Sequence, residues 1–394
     1  MAELKGWYRH ELMYCSNVHP CSSVAELISQ IELHVLPIMR TRKLTQMNLG
    51  LWLNRTVLQQ LNSSSKLCSQ WFALLSEHNL TIKSLNAFPQ AEFHGVNVKT
   101  KVYFPEWSQQ SRLDYTQLLV NFIAQHSAFF ADEVSISTVP LGYKASWSQE
   151  KQKSAIKNLS LMANYLAAIK QKTGTHIRLC LEMEPDCQLE STDEMIEFFI
   201  NDMQIASEAN HAEHLGVCYD VCHQAVMFES ITKSITAIEA NGIVIGKVQI
   251  SNALSFYIKD SMQMKTSLAS YHNSPYLHQM KLKTLHGVVA FNDLDLNVLN
   301  KFSAQDQVRV HFHVPINVKS IADNLYTTQK EIIDVVQCLS SISSKPDIEV
   351  ETYTWQLIAE KPEPTTLNKY LVCEIEWLEQ ELHKNHLIVN GYDK

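Results

Sequence analysis

The feature that most constrains this chain is a repeated alternation of short apolar runs and longer helical stretches. The principal β-rich runs are Leu12–Val18, Met47–Leu53, Thr81–Phe88, Val134–Val139, His176–Met183, Leu215–Val221, Ile243–Ile250 and Ile348–Tyr353. Between them, Val24, Leu27, Ile28 and Ile31 fall at i, i+3, i+4 and i+7, which is one face of a helix. Similar patterns occupy Val57–His78, Tyr115–Phe130, Gln149–Lys172, Thr192–Ala209, Ile321–Ile342 and Leu367–His383. Strand–helix alternation implies βαβ units and a parallel sheet. Eight principal strands predict an α/β fold, a (β/α)8 barrel. An open doubly wound sheet is the competitor, but no GxGxxG or GxxxxGK(S/T) supports a nucleotide-binding version.

The 394 residues fit one barrel domain with additions better than two or three separate domains. A further run, Val308–Val314, lies between the last two strands. The connection 251–307 is too long for a simple crossover. It reads as an elaboration after strand seven, laid over one face of the barrel as a candidate lid. A helical segment over 362–394 closes the chain. Hydrophobic residues make up 45% and charged residues 19%, which excludes a disordered chain. The net charge of -8 opposes binding to nucleic acid. The N-terminus lacks a signal-peptide pattern, and no run of about 18 apolar residues predicts a membrane span. Nine scattered cysteines without a CxxC pair read as reduced thiols in a cytoplasmic protein. Cys218 and Cys222 among them read as packing residues.

In such a barrel the chemistry sits at the C-terminal ends of the strands. The apolar runs do end in polar residues: His19, Asn86, Glu182 with Glu184, Asp220 with His223, Gln249, and Glu349 with Glu351. His311 and His313 sit in the extra run. Burying a carboxylate there is costly unless a cation or hydrogen bond compensates, and a shared cation serves several strands at once. In EME and HFH the polar residues are two apart, so a strand points both to one side. Mixed Glu, Asp, His and Gln ligation suits Mn, Mg, Zn or Fe as a divalent ion. Each residue also has an ordinary reading. His19 fits a hydrogen-bonded structural histidine, Glu184 and Glu349 fit ion pairs with Lys or Arg, and His311/His313 fit a polar strand face.

The ligand order resembles the xylose isomerase-like barrel superfamily, which includes sugar isomerases, ketose 3-epimerases and endonuclease IV-type enzymes. The resemblance implies metal ligation by Glu182, Asp220, Gln249 and Glu351. Gln249 stands where the epimerase branch has His. His223 matches a substrate-contacting His three residues beyond the Asp, and His313, with His311, matches the metal-binding pair after strand seven. More specifically, YCSNVHP, LNAFPQAEFHG, KVYFPEW, SISTVPLGY, EMEPD, GVCYDVCHQAVMFE, KVQISNAL, YLHQ, HFHVP and VETYTW resemble the EboE family of metabolite traffic proteins. That family is encoded in bacterial clusters that move a metabolite towards the cell exterior, so other proteins of such a cluster are implied partners.

Two functions follow from different classes. The first is a metal-dependent isomerase or epimerase acting on a small polar or sugar-like metabolite. Glu182 and Glu351 would exchange the proton, His223 would orient a substrate oxygen, and His19, Asn86, His94, Trp107 and His311 would contact substrate. The second is a carrier that keeps an enzyme-like pocket. Gln249 favours it, because a neutral amide oxygen is the weaker ligand. A phosphodiester hydrolase of the endonuclease IV kind is a third reading, opposed by the net charge and by the absence of a strand-seven His.

Overall fold

The computed structural model describes residues 6–91, 98–258, 268, 276–358 and 362–389. Every principal run forms a strand. They are β1 (Met13–Tyr14), β2 (Met47–Trp52), β3 (Leu80–Asn86), β4 (Phe130–Thr138), β5 (His176–Glu182), β6 (Leu215–Asp220), β7 (Ile245–Ile250) and, last in the chain, β14 (Asp347–Val350). The order around the sheet is β1-β14-β7-β6-β5-β4-β3-β2, and all pairings are parallel. A parallel bridge from Cys15 to Gly50 links the two ends. The fold is therefore a closed (β/α)8 barrel with helices outside.

The helices follow their apolar faces and caps. The long helix Gln149–Thr173 starts where the Ser148 side chain accepts from Lys151 N. It ends at Gly174, whose φ of +81° is a left-handed conformation that suits glycine. Val57–His78 is two helices rather than one, Arg55–Ser63 and Ser65–Glu77. Ser64 is extended between them, and its hydroxyl caps the second at Leu67 N, so a local hydrogen bond wins over continuous periodicity. Thr192–Ala209 holds a helix only over Thr192–Glu197, a π-turn over Phe198–Asp202, and the start of a further helix at Ala209–His214. Ile321–Ile342 also differs from its periodicity: a hairpin precedes a helix limited to Gln329–Cys338.

The elaboration after β7 is a second sheet. Its strands are β8 (Ala253–Tyr257), β9 (Met280–Thr284), β10 (Gly287–Phe291), β11 (Gln307–His313), β12 (Ser320–Ala322) and β13 (Leu325–Thr327), all antiparallel, in the order β10-β9-β11-β8-β13-β12. Period-two alternation divides its faces. Leu254, Phe256, Met280, Leu282, Val308 and Val310 build a hydrophobic cluster separate from the main core. The intervening residues turn towards the barrel: Lys281 pairs with Asp186 at 2.6 Å, and Arg309 donates to the Ala225 carbonyl at 2.7 Å. The run Val308–Val314 thus belongs to this sheet, and its histidines reach the barrel mouth from outside it.

Candidate metal centre

Three barrel strands end in buried carboxylates. Glu182 and Asp220 are the last residues of β5 and β6, and Glu351 follows β14. One oxygen from each lies within 4.8 Å of the others. Asp220, His223 and His313 form an adjoining cluster by the same measure, as do Glu184, His223 and His311. His223 sits on the short helix Val221–Val226, whose N-cap is Asp220: Asp220 Oδ1 accepts from His223 N at 2.9 Å. The three-residue offset in DVCH therefore folds imidazole and carboxylate to one place.

Backbone acceptors fix the tautomers. His313 Nδ1 lies 2.8 Å from the Glu351 carbonyl and His223 Nδ1 lies 2.7 Å from the Met183 carbonyl. A carbonyl only accepts, so Nδ1 carries the proton and Nε2 bears the lone pair in each neutral ring. His313 Nε2 is buried without a partner, as are Glu182 Oε2 and Asp220 Oδ2. His223 Nε2 stands 3.0 Å from His311 Nε2. His311 is held through Nδ1 by Gln279 Oε1 at 2.7 Å, and Gln279 Nε2 donates to the Tyr103 hydroxyl and the Pro185 carbonyl.

Burial and like charge set the electrostatics of these groups. Burial, then the charges of Glu351, Asp220 and Glu184, pushes the Glu182 carboxyl well above its usual range. Burial and Asp220 do the same to Glu351. Burial raises Glu184 as well, with His223 opposing. Burial lowers His313 to about 4, and burial with the neighbouring His223 drives His311 well below the usual imidazole value. Burial thus favours the protonated form of Glu182, Glu184 and Glu351 and the neutral form of His311 and His313. A divalent ion held there would displace protons from its carboxylate ligands, because metal ligands bind deprotonated. The converging acceptor-only atoms fit such an ion, and their oxygen-rich set with imidazole suits Mg, Mn, Zn or Fe.

No family model matches the chain, and no curated protein sequence is significantly similar to it. Solved structures do share its architecture. A xylose isomerase-like TIM barrel protein from Mycobacterium smegmatis, in complex with magnesium, aligns with TM-score 0.52 and 8% identity over 95% of this chain and 99% of that one. A xylose isomerase domain protein from Planctomyces limnophilus aligns with TM-score 0.52 and 10% identity over 97% and 99%. The fold is a xylose isomerase-like TIM barrel.

In this xylose isomerase-like barrel a cleft opens onto the centre. Of the residues singled out from sequence, Glu182, Glu184, His223, His311, His313, Glu351 and Asn86 line it, and Asp220 lies buried behind the lining. Gln249 does not: its Oε1 accepts from the Cys218 thiol at 3.0 Å, so the strand-seven position is turned to an internal partner. His19 does not line the cavity either; it stacks on His34 with centroids 4.0 Å apart and lies 3.2 Å from the Tyr14 hydroxyl. Trp107 is buried outside the lining and donates through Nε1 to Thr138 Oγ1 at 3.2 Å. His94 lies outside the described residues. Asn17 was not singled out, yet its Nδ2 donates to Glu351 Oε1 at 2.5 Å. A polar residue two before His19 in YCSNVHP was the available signal. Gln279 had only the short match YLHQ. Cys222 lies with His311 and His313 in a further ligand-distance cluster, although an apolar neighbourhood had marked it for packing.

Proposed function

We propose that this protein uses a divalent cation, held by Glu182, Asp220, Glu351 and His313, to act on a small oxygenated metabolite by isomerase- or epimerase-type proton transfer. The observation that carries the reading is that buried Asp220 lies at ligand distance from Glu182 and Glu351 on one side and from His223 and His313 on the other, while Glu182 Oε2, Asp220 Oδ2 and His313 Nε2 have no hydrogen-bond partner. Gln249, engaged by Cys218, is replaced in this ligand set by His313 from the added sheet. That the similarly folded Mycobacterium smegmatis protein was solved in complex with magnesium supports a hard divalent cation.

A bound cation would supply Lewis-acid polarisation of a substrate carbonyl. Glu182, with Oε2 unpartnered, takes the proton from the adjacent carbon. Glu351 returns it, its Oε1 held by Asn17 at 2.5 Å and Asn86 at 3.5 Å. Both carboxyls are buried and line the cavity, where each can hold a proton beside the substrate. His223, His311 and Asn86 orient substrate oxygens. The sequence stretches that resemble EboE proteins support a place in metabolite traffic, as one cytoplasmic domain working beside other proteins of its cluster. No helix among the described residues is long and apolar enough to cross a membrane.

The test is solvent exchange. Purified protein loaded with Mn²⁺ is incubated in D₂O with hydroxyacetone, and mass spectrometry follows deuterium at carbon. Metal-dependent incorporation that Glu182→Gln abolishes is expected. Stoichiometric metal with no exchange on any α-hydroxy carbonyl would leave the carrier function, which the Gln249–Cys218 contact favours. No bound metal would remove both the cation and the proton transfer.

A further inference from the structure

The cavity floor and its walls differ in chemistry. The floor is Glu182, Glu184, His223, His311, His313 and Glu351. Asn17 and Asn86 flank it, and among the described residues the walls are mostly carbon: Phe88, Val98, Val102, Tyr103, Tyr276 and Tyr353. They come from four places in the chain. Phe88 follows β3 and meets Tyr103 edge-on at 6.0 Å. Tyr276 precedes β9 and meets Tyr353, beyond β14, edge-on at 5.2 Å. The Tyr103 hydroxyl is already committed, donating to Glu184 Oε1 at 3.0 Å and accepting from Gln279 at 2.7 Å, so that residue offers its ring. Among the described lining residues Lys99 is the cation of the wall. It is closed in an ion pair with Asp293 at 2.5 Å at a part-exposed rim.

A free sugar carries hydroxyls along its whole length. Those beyond the floor would meet rings and aliphatic carbon, and each polar group desolvated without a partner costs affinity. A ligand with its oxygens gathered at one end avoids that cost and buries apolar area at the other. We propose that this site takes an amphipathic metabolite, with an α-hydroxy carbonyl or vicinal diol at one end and a ring or short hydrocarbon body at the other. The proposal rests on the metal-dependent reading of the floor, and adds to it the class of molecule the walls accept.

Three probes test it: hydroxyacetone, its phenyl analogue α-hydroxyacetophenone, and D-fructose. Each is titrated calorimetrically into Mn²⁺-loaded protein. The phenyl analogue is expected to bind at least about tenfold more tightly than the other two. Tyr276→Ala, and separately Val102→Asn, should cut that ratio to about threefold or less while Mn²⁺ uptake persists. Equal affinity for all three probes, tighter binding of D-fructose, or no binding by any of them overturns the proposal. If Mn²⁺ itself does not bind, the reading of the floor fails, and the same titrations into metal-free protein still decide the preference of the walls.

Discussion

Two carboxylates two residues apart near the end of β14 are compensated in opposite ways. Glu349 points into the barrel interior, where Lys247 Nζ meets it at 2.5 Å and Ser84 Oγ donates at 2.9 Å, with both charges fully buried. Gly50 makes the room: a Cβ there would lie 2.2 Å from Glu349 Oε1. Burial alone would lower the Lys247 ammonium, but Glu349 beside it holds its pKa well above the usual value. Glu351, one layer nearer the mouth, faces Glu182 and Asp220 instead. Among the described residues no Lys or Arg forms an ion pair with any of those three. The barrel thus supplies its own cation beside Glu349 and, among the described residues, no Lys or Arg partner for Glu182, Asp220 or Glu351.

Removing the internal cation should have the largest effect. Lys247→Met strands Glu349, and breaking a buried pair costs about 3–5 kcal/mol. Urea unfolding of the variant should show that loss, and an unchanged midpoint would break the contrast. Glu374 sharpens it, as a carboxylate compensated by hydrogen bonds alone. It accepts from Trp355 Nε1 and Thr352 Oγ1 at 2.7 Å and from Ile316 N at 3.0 Å, yet burial raises it from 4.5 to about 7. The folded protein therefore favours its acid form. The stability this contributes is complete below pH 4.5 and is lost as the pH rises towards about 7. The difference in unfolding free energy between wild type and Glu374→Gln should change by roughly 3 kcal/mol across that window.

At the mouth the signs reverse. Mn²⁺ at one hundred times its dissociation constant should stabilise wild type by about 2.7 kcal/mol in a thermal melt, with no such gain in Glu351→Gln. The smallest effect is the most diagnostic. In metal-free protein Glu182→Gln removes a buried carboxyl whose charged form burial and its acidic neighbours disfavour, and should raise stability at neutral pH by about 1 kcal/mol. A loss of several kcal/mol there would mean that Glu182 is structural, like Glu349.

The barrel was legible because buried parallel strands read as apolar runs and most of these runs lead into a helix. The carboxylate half of the site was legible for the same reason: Glu182, Asp220 and Glu351 stand at run ends, where an uncompensated charge is conspicuous. The half built from the added sheet was only partly so. HFH signalled a polar side through its spacing, but its strand approaches the barrel from outside, which no local pattern encodes. Ion pairing could not be read either. Glu349 and Glu351 are alike in sequence, and only the pairing of β14 with β7 brings Lys247 beneath one of them. Gln249 has the right strand and the wrong neighbour, because Cys218 takes its amide oxygen. His19 and Trp107 lie outside the cavity lining: His19, just beyond β1, stacks on His34, and Trp107, in the connection between β3 and β4, is held by Thr138, contacts that no local pattern encodes.

The most direct measurement is Mn²⁺ uptake followed by the paramagnetic resonance of the free ion, for wild type and Asp220→Asn. Saturable uptake by wild type, with affinity at least about tenfold weaker in Asp220→Asn, is expected for a centre in which that carboxylate joins both ligand clusters. No uptake by wild type, or equal uptake by the two proteins, would contradict a divalent-cation centre in the barrel mouth.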